Sequence, residues 1–454
     1  MLTYTLKKEP GIPLYEALYR CIRDDIVSGR LAAGEKLPSK RALSANLKVS
    51  KITVEGAYNQ LLAEGYIRSE EKVGYFVEAV EHIPVLQERW EQPQILEDGC
   101  IDLTANGPAR FPFSVWSKLQ RQVMLDMGEK LLLRLHNQGV WELRQAIARH
   151  LTEFRGMRVS PENIIIGAGT DFLYNLLIQL LGRDMGYAVE EPGYSKIRKI
   201  YAAAGADCVS VVMDRQGVVP EGIGSARVLH ISPSHHFPTG IVTPLSRRME
   251  ILSWARQEDN RWIIEDDYDS EFRFAAHPLP AMQSLDSGKV IYMNTFSKTL
   301  APSIRISYMV LPGVLMEQFR EKLGYYSCTV SSFEQYTLAR FLETGHFEKH
   351  INRMRKFYKT RRDRVVKAIT ECPFAGELTI LEENAGLHFL VQVRPPLSAQ
   401  SAVERLLQAG IRVRSLGSYY HESVPDWAKQ CLVVNYSGLT DLQAEELTRR
   451  LLRL

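Results

Sequence analysis

The stretch YMNTFSKTLAPSIRISYMV, residues 292–310, decides the fold and the chemistry of this chain. An apolar run typical of a buried strand leads into Lys298, which is flanked by hydroxyl side chains. A lysine on the loop after a strand can form an imine with an aldehyde cofactor such as pyridoxal 5'-phosphate (PLP). Arg305 follows and offers a planar set of donors to phosphate oxygens. Because a lone lysine is usually a surface charge, the interpretation depends on the segments around this stretch.

Two other segments supply what such a cofactor needs. RWIIEDDYDSEF (261–272) puts Asp266 at the end of an apolar strand, where a carboxylate can keep a pyridine nitrogen protonated. GAGTDFLYNLL (167–177) combines small residues, a hydroxyl and the start of a helix, which suits an anion at a helix N-terminus. Each segment alone is a weak signal, since a strand ending in Asp-Asp-Tyr is often only a turn. Together, and in this order, they indicate a PLP site.

The chain from Gly99 onward has the pattern of an α/β protein. Apolar runs alternate with helical stretches, as in NIIIG, RVLHISP, RWIIEDD and KVIYMNTF. Continuous apolar strands of this kind predict a largely parallel sheet that is buried on both faces. Residues 325–454 carry long amphipathic helices and then LHFLVQV, IRVRSL and CLVVNYS, which predict a smaller α/β subdomain.

Residues 12–78 have the pattern of a compact helical unit. An apolar side chain recurs at every fourth position of the first helix, at Leu14, Leu18, Ile22 and Ile26. Ser39 and Ser50 are predicted to cap two further helices joined by a short turn, which is a helix-turn-helix. YIRSEEKVGYFVE then predicts a hairpin with a turn near Gly74, as in the wing of a winged helix.

The charge of this unit allows more than one interpretation. Residues 36–53 carry five cations and no acid in a chain whose net charge is only +3. Such a stretch is either a phosphate-facing surface or an ordinary solvated face. Glu55, in the predicted second helix of the motif, either accepts from a cytosine amine or is simply exposed to solvent.

Composition narrows the class of protein. With 454 residues, 45% apolar and 24% charged, the chain is typical of a soluble protein of about three folding units. Its six cysteines are scattered without a CxxC pair, which favours isolated reduced thiols. We find no signal-peptide pattern and no apolar run of the ~20 residues needed to cross a bilayer, so we expect a cytoplasmic protein.

Both halves of the sequence resemble known families. LPSKRALSANL (37–47) with VSKITVEGAYNQLLAEGY (49–66) resembles the winged helix-turn-helix of the GntR family. The pairing of EDDYDSEF with TFSKTLAP resembles the MocR/GabR subfamily, which fuses that unit to a PLP-dependent fold-type I aminotransferase-like domain. This implies a DNA-binding domain at 1–78, a linker at 79–98 and an effector domain at 99–454. The effector domain is expected to divide into a large part at about 99–324 and a small subdomain at about 325–454.

The resemblance assigns roles to individual residues. It implies that Lys298 is the internal aldimine lysine, that Asp266 pairs with the ring nitrogen and that Tyr268 contacts the ring 3'-oxygen. It implies that the phosphate is held by Gly169, Thr170, Thr295 and Arg305, with Ser297 as a further candidate. Tyr194 is expected to stack on the ring face. It implies that DNA is contacted by Lys40, Arg41, Lys51, Thr53 and Gly74.

Three positions depart from the pattern of an aminotransferase. In SPSHHFPTG, Phe237 stands where such enzymes carry an asparagine, and a neighbouring histidine, with His236 as our candidate, is expected to replace it as a contact to the 3'-oxygen. In CLVVNYS, Val433 stands where the arginine for a substrate carboxylate is usual, and His136 lies near the place of a usual tyrosine. The carboxylate of an effector is then expected to meet Arg414 or Arg412. At least one of these two arginines is expected on the surface.

These departures favour regulation over efficient turnover. We expect a homodimeric, PLP-dependent transcription regulator that binds double-stranded DNA and senses an amino compound through Lys298. Half-transamination is compatible with the site, whereas efficient turnover is not expected. Two alternatives stay open: an active aminotransferase with an accessory DNA-binding domain, and a sensor of PLP itself. The sequence does not identify the effector.

Overall fold

The computed structural model describes residues 2–4, 6, 13–79, 99–104, 110–274, 279–384, 386–395 and 397–452. The chain forms two compact units, Met1–Leu96 and Glu97–Leu454. Apart from its first residue, the linker expected at 79–98 lies outside the described residues.

The first unit has three helices and a small antiparallel sheet. In chain order its elements are α1 (Leu14–Val27), β1 (Lys36–Leu37), α2 (Lys40–Leu47), α3 (Lys51–Ala63), β2 (Ile67–Glu70) and β3 (Gly74–Val77). β3 lies between β1 and β2 and pairs antiparallel with both. The predicted helix-turn-helix followed by a hairpin is therefore confirmed.

Local signals in the sequence explain this unit. The side chains of Ser39 and Ser50 accept hydrogen bonds from the backbone nitrogens of Ala42 and Thr53, which caps α2 and α3 as predicted. The apolar stripe of α1 packs into the core of the unit, although Leu14 at its start is only half-buried.

The second unit is built around an eight-stranded sheet, with helices and further strands beside it. Its elements are β4 (Ile101–Asp102), α4 (Phe113–Met127), α5 (Trp141–Arg155), β5 (Ile164–Gly167), α6 (Thr170–Leu181), β6 (Tyr187–Glu191), α7 (Ser195–Ala203), β7 (Cys208–Asp214), β8 (Gly217–Val218), β9 (Val228–Ile231), α8 (Leu245–Arg256), β10 (Trp262–Asp266), α9 (Met282–Leu285), β11 (Val290–Thr295), α10 (Phe296–Thr299), β12 (Ser307–Val310), α11 (Gly313–Leu323), α12 (Ser332–Glu343), α13 (His346–Thr370), β13 (Leu378–Leu381), β14 (His388–Val393), α14 (Ala399–Gln408), β15 (Ile411–Arg412), β16 (Arg414–Ser415), β17 (Cys431–Asn435) and α15 (Asp441–Leu451).

The large sheet has the strand order β5-β12-β11-β10-β9-β6-β7-β8. The pairs β11–β10, β10–β9, β9–β6 and β6–β7 are parallel, whereas β12 and β8 run against their neighbours. The central strands are buried along their length, as a parallel sheet covered on both faces requires. The expected mostly parallel α/β fold is confirmed, and it gathers the carboxyl ends of β9, β10 and β11 at one edge.

The C-terminal part adds a smaller sheet of order β13-β14-β17-β16, which is antiparallel throughout. β15 pairs in parallel with β4, so a strand from the start of this unit joins the C-terminal elements. α12 lies in the stretch expected to form the small subdomain, but it contributes to the core that packs on the large sheet.

Two general features agree with the sequence. All six cysteines are free thiols. Among the residues that the structure describes, no helix has both the length and the apolar character needed to cross a bilayer.

A buried ion pair anchors the turn that follows β10. Nη2 of Arg155, at the end of α5, lies 3.0 Å from Oδ2 of Asp267, and both side chains are almost fully enclosed. The same carboxylate accepts from Tyr292 at 2.6 Å and from Ser270 at 2.8 Å. Burial alone raises the pKa of Asp267, but the guanidinium and these donors lower it below its usual value, so the carboxylate is charged. The turn is thus tied to a helix and to a neighbouring strand.

We expect Arg155→Met to destabilise the second unit by about 3–5 kcal/mol, because it leaves the Asp267 carboxylate buried without its cation. Urea unfolding followed by tryptophan fluorescence measures the loss. Arg256→Met is the control, since Arg256 pairs with Asp286 at 2.7 Å but is half-exposed, and loss of such a pair costs at most about 1 kcal/mol. Equal losses in the two variants would contradict the anchoring role.

Candidate functional site

Lys298 lies at the carboxyl edge of the large sheet. It is the third residue of α10, which begins directly after β11. Burial lowers the pKa of its amine, although the nearby carboxylates of Asp269 and Asp266 act in the opposite direction. A lowered pKa increases the share of neutral amine, which is the nucleophilic form. The Nζ atom lies 6.0 Å from the centre of the Tyr268 ring.

Asp266 lies at the same edge, because β10 and β11 are parallel neighbours with Asp266 opposite Met293. Its Oδ2 accepts a hydrogen bond from the Tyr174 hydroxyl and lies 3.6 Å from Nε2 of His230. Its Oδ1 is buried and has no hydrogen-bond partner. A buried carboxylate oxygen without a partner is costly, so this atom fits a protonated ring nitrogen of a bound ligand.

Tyr268 and the two histidines lie beside these residues. The Tyr268 hydroxyl is 3.4 Å from Nδ1 of His235, and burial raises the pKa of Tyr268 well above its usual value, so it stays a donor. His236 instead contacts Thr239, with Nδ1 2.7 Å from the hydroxyl, and Glu190, 3.5 Å from Nε2. Burial lowers the pKa of His236 to about 3 and raises that of Glu190 to about 8, so this contact is not an ion pair near neutral pH.

Small residues and cations come together at the start of α6. Gly169 precedes the helix at φ +92°, and a Cβ there would lie 2.1 Å from Nη2 of Arg305. Nη2 of Arg305 lies 3.3 Å from Oδ2 of Asp171, and Nζ of Lys196 lies 2.5 Å from the same oxygen. Two cations therefore share one carboxylate beside Thr170, the first residue of this twelve-residue helix. The surplus positive charge at a helix N-terminus fits a phosphate.

The two hydroxyls before Lys298 differ in what they bind. The Thr295 hydroxyl accepts from the Ser297 backbone nitrogen at 3.1 Å and from the Ser307 hydroxyl at 2.8 Å, and it lies 3.4 Å from the Ile306 carbonyl. It therefore caps α10 and ties it to β12. The Ser297 hydroxyl is buried and has no hydrogen-bond partner, which leaves it available to a ligand oxygen.

Arg412 and Arg414 are both exposed but belong to different strands. Arg412 on β15 pairs with Asp102 on β4 at 3.3 Å. Arg414 on β16 stands directly opposite Val433 on β17, and its charge partly offsets the rise that burial causes in the Tyr419 pKa. A cation thus stands on the strand adjacent to Val433, at the same level.

Aromatic rings border the site next to Arg414. The Phe237 ring lies edge-on to Tyr194, with centres 5.9 Å apart, and to Tyr419, with centres 5.2 Å apart. Tyr194 is half-exposed, so its ring has a free surface. Phe237 and Val433 belong to one apolar cluster, which explains why neither position carries a polar side chain.

The first unit presents its candidate DNA-binding residues around α3. Arg41 and Lys51 are exposed, and the Thr53 hydroxyl lies 2.8 Å from that of Ser50. Lys40 is held more tightly, since its amine is 2.9 Å from Glu55 and 5.4 Å from the centre of the Tyr75 ring. This ion pair lowers the pKa of Glu55, so its carboxylate stays charged.

Two further features of this unit bear on DNA binding. Gly74 starts β3 at φ +141°, and Lys36 packs against it. Ile52, on the first turn of α3, is 80% exposed, so its large apolar side chain lies in water instead of packing against other apolar groups.

Sequence reasoning does not identify the partners of Asp266. Tyr174 stands four residues after Thr170 and so lies on the same helix face, which is a signal that the sequence contains. His230 occupies an apolar strand, where a histidine is more often a core residue. Asp267 and its partner Arg155 carry no local signal, because the pairing joins distant segments.

The comparisons with known proteins agree with this geometry. Residues 98–451 match the family "Aminotransferase class I and II", and residues 14–77 match "Bacterial regulatory proteins, gntR family". The chain is 36% identical to the uncharacterized HTH-type transcriptional regulator YdeL of Bacillus subtilis, over 99% of this chain and 98% of that protein. It is 31% identical to the probable rhizopine catabolism regulatory protein MocR of Rhizobium meliloti, over 96% and 92%.

The fold has solved counterparts. The multiple substrate aminotransferase of Thermococcus profundus superposes with a TM-score of 0.68 and 24% identity, over 78% of this chain and 90% of that one. At this identity the likeness shows the fold alone. Together with the full-length relatives and the two matched families, it shows that the chain is a member of the MocR/GabR-type transcriptional regulators, in which a GntR-family DNA-binding domain is joined to an aminotransferase class I and II domain.

Proposed function

We propose that this regulator holds PLP at Lys298 and changes its affinity for DNA when an amino compound, or the cofactor itself, occupies the site. The observation that carries the proposal is the buried Lys298 amine at the same sheet edge as Asp266, whose Oδ1 has no partner. When bound, PLP supplies an aldehyde that reacts with amines and a ring that withdraws electrons.

The residues around Lys298 match the parts of that cofactor. Asp266 would pair with the ring nitrogen, and Tyr268 would donate to the 3'-oxygen, with His235 rather than His236 as its neighbour. Tyr194 would cover the ring face. The phosphate would be bound by Gly169, Thr170, Ser297 and Arg305. Thr295 would act chiefly through the cap that orients Ser297 and Lys298.

Arg414 is the better candidate for an effector carboxylate. It adjoins the aromatic border of the site through Tyr419, whereas Arg412 is engaged by Asp102. Its exposed guanidinium can offer two parallel hydrogen bonds to a carboxylate. We therefore favour an effector with both an amine and an acidic group.

The DNA-binding unit would use its residues for two purposes. Lys51, Arg41 and Thr53 would contact phosphates at the start of α3 and thereby position that helix. Ile52 would contact a thymine methyl group, and Glu55, if it leaves Lys40, would accept from a cytosine amine.

A homodimer is the expected assembly. Large apolar side chains are exposed along α4 and the turn that follows it, with Leu125 at 78%, Leu132 at 77% and Leu133 at 66%. A second copy of the chain is the partner that the resemblance to fold-type I enzymes implies for this surface. Two copies would present two DNA-binding units to a repeated site.

Borohydride reduction of the chain with PLP should attach a pyridoxyl group to Lys298 alone, because this amine is buried and has a lowered pKa. Peptide mass spectrometry identifies the modified residue. Lys298→Ala should lose the label, while Lys322→Ala should keep it, since Lys322 lies on the exposed side of α11. Labelling at a different lysine in the unmodified chain would refute the assignment.

Fluorescence anisotropy with the duplex upstream of the chain's own gene tests regulation. The affinity should change with PLP alone or with PLP plus members of an amino acid panel. Lys298→Ala should bind DNA but not respond. Arg414→Gln should weaken the response to amino acids by about tenfold or more, which is the loss of one charge-assisted contact, while Arg412→Gln should not. A normal response in Lys298→Ala would exclude sensing at this site, and repeated turnover of amino and keto acids would favour an enzyme.

Substitutions on α3 should separate phosphate contacts from base readout. Lys51→Gln should weaken binding to the upstream duplex and to a scrambled duplex alike, and reduce the salt dependence by about one counterion. Ile52→Ala should instead narrow the difference between the two duplexes. Lys367→Gln, in the second unit and 71% exposed, is the control. A Lys51→Gln variant that binds both duplexes normally would argue against contact with DNA.

A further inference from the structure

Three side chains with metal-ligating atoms meet next to the Lys298 site. His235 follows β9, Asp269 follows β10 and His388 begins β14, and each of the three is 2% exposed. One possible ligand atom of each lies within 4.8 Å of the other two. Three separate segments thus converge on one small buried volume.

The His235 ring is held in a fixed orientation. Its Nδ1 lies 2.9 Å from Oδ2 of Asp269, and its ring centre lies 4.6 Å from that of His388. The His235 ring fills the space beside Gly386, because a Cβ added to Gly386 would lie 1.7 Å from Cε1 of His235. Gly386 is itself fixed, since its carbonyl accepts from the Tyr436 hydroxyl at 2.5 Å.

Two imidazole nitrogens of the cluster are left without partners. Nε2 of His235 and Nε2 of His388 are both buried, and neither has a hydrogen-bond partner in the described part of the chain. Leaving such an atom unsatisfied is unfavourable, so two in one cluster point to a bound group that accepts nitrogen lone pairs. A cation satisfies both nitrogens and also the charge of Asp269.

We propose that His235, Asp269 and His388 bind a divalent transition metal ion, with Zn²⁺ as the best match to two imidazoles and one carboxylate. Ligand atoms around tetrahedral zinc lie roughly 3.4 Å apart for bonds of about 2.1 Å. To join both free Nε2 atoms around one ion, Asp269 must leave Nδ1 of His235 and turn toward the ion, which also closes the separations of up to 4.8 Å. Three protein ligands leave a fourth position for a small molecule.

The position of the cluster gives such an ion a role in effector binding. Tyr268 links the two places, since its hydroxyl lies 3.4 Å from Nδ1 of His235 and its ring centre lies 6.0 Å from Nζ of Lys298, so the ion would lie near a molecule bound at the lysine. A carboxylate or amine of the effector would complete the coordination. The metal site itself depends only on side chains of this chain, so it does not rest on PLP binding.

The test uses the full, tag-free chain after chelation and exchange into metal-free buffer. Zn²⁺ alone is added, the excess is removed by dialysis and the retained zinc is measured by elemental analysis. We expect one equivalent in the unmodified chain and none in His235→Ala or His388→Ala. Asp269→Asn should lower the affinity by about 10–100-fold. His150→Ala is the control, because His150 is another buried histidine, beside Glu348.

Co²⁺ provides a second readout, which is spectroscopic. In the unmodified chain it should give the visible absorption of a four- or five-coordinate ion, without the near-ultraviolet band of thiolate ligation that a site at one of the six cysteines would give. Gly386→Ala should weaken this signal by displacing the His235 ring. Absence of retained zinc in the unmodified chain, or equal zinc in His150→Ala and in the double variant His235→Ala/His388→Ala, would overturn the proposal. Lys298→Ala should keep its metal, which separates this result from the test of PLP binding.

Discussion

The ion pair between Arg155 and Asp267 is the constraint on which the site depends. A charge buried as completely as Asp267 is tolerated only with a partner of opposite charge and further donors, and the carboxylate has these in Arg155, Tyr292 and Ser270. The neighbouring residues of the same turn supply Asp266, Tyr268 and Asp269. Because the turn is tied to a helix and a strand, these side chains cannot shift independently of the sheet. The positions of Asp266, Tyr268 and Asp269 therefore depend on a contact between Asp267 and a distant helix.

The site itself contains polar atoms that the protein leaves unsatisfied. Oδ1 of Asp266 and the hydroxyl of Ser297, the residue directly before Lys298, are buried without partners. Each such atom reduces the stability of the folded chain, and a ligand that satisfies both recovers that free energy on binding. Under the proposed function, this arrangement places much of the free energy of ligand binding at the site that senses the effector. An enzyme with the same fold would use it to position a substrate as well.

The sequence could predict those features that depend on residues close together in the chain. Ser39 and Ser50 were identifiable as caps because a hydroxyl before an apolar helix has few other uses there. Lys298 and Asp266 were identifiable as parts of one site because each comes at or just after the end of an apolar strand and their segments occur in the order of the family they resemble. Contacts between distant segments were not predictable in the same way. His388 reaches the site from a strand of the smaller sheet, and Asp171 takes up part of the charge of Arg305. The separation of Arg412 from Arg414 depends on the chain leaving β15 for β16 at Val413, which periodicity does not reveal.

The differences from an aminotransferase are connected to one another through packing. Phe237 and Val433 lie in one apolar cluster, so a polar side chain at either position would need a buried partner that the cluster does not offer. Under the proposed function, Arg414 supplies a cation from the neighbouring strand, where its side chain is exposed and its guanidinium avoids the cost of burial. An exposed cation can engage a ligand but does not fix it rigidly, and rigid positioning is what rapid chemistry requires. Under the proposed function, the same packing that removes the usual contacts of an enzyme leaves a site suited to binding an effector rather than to rapid turnover.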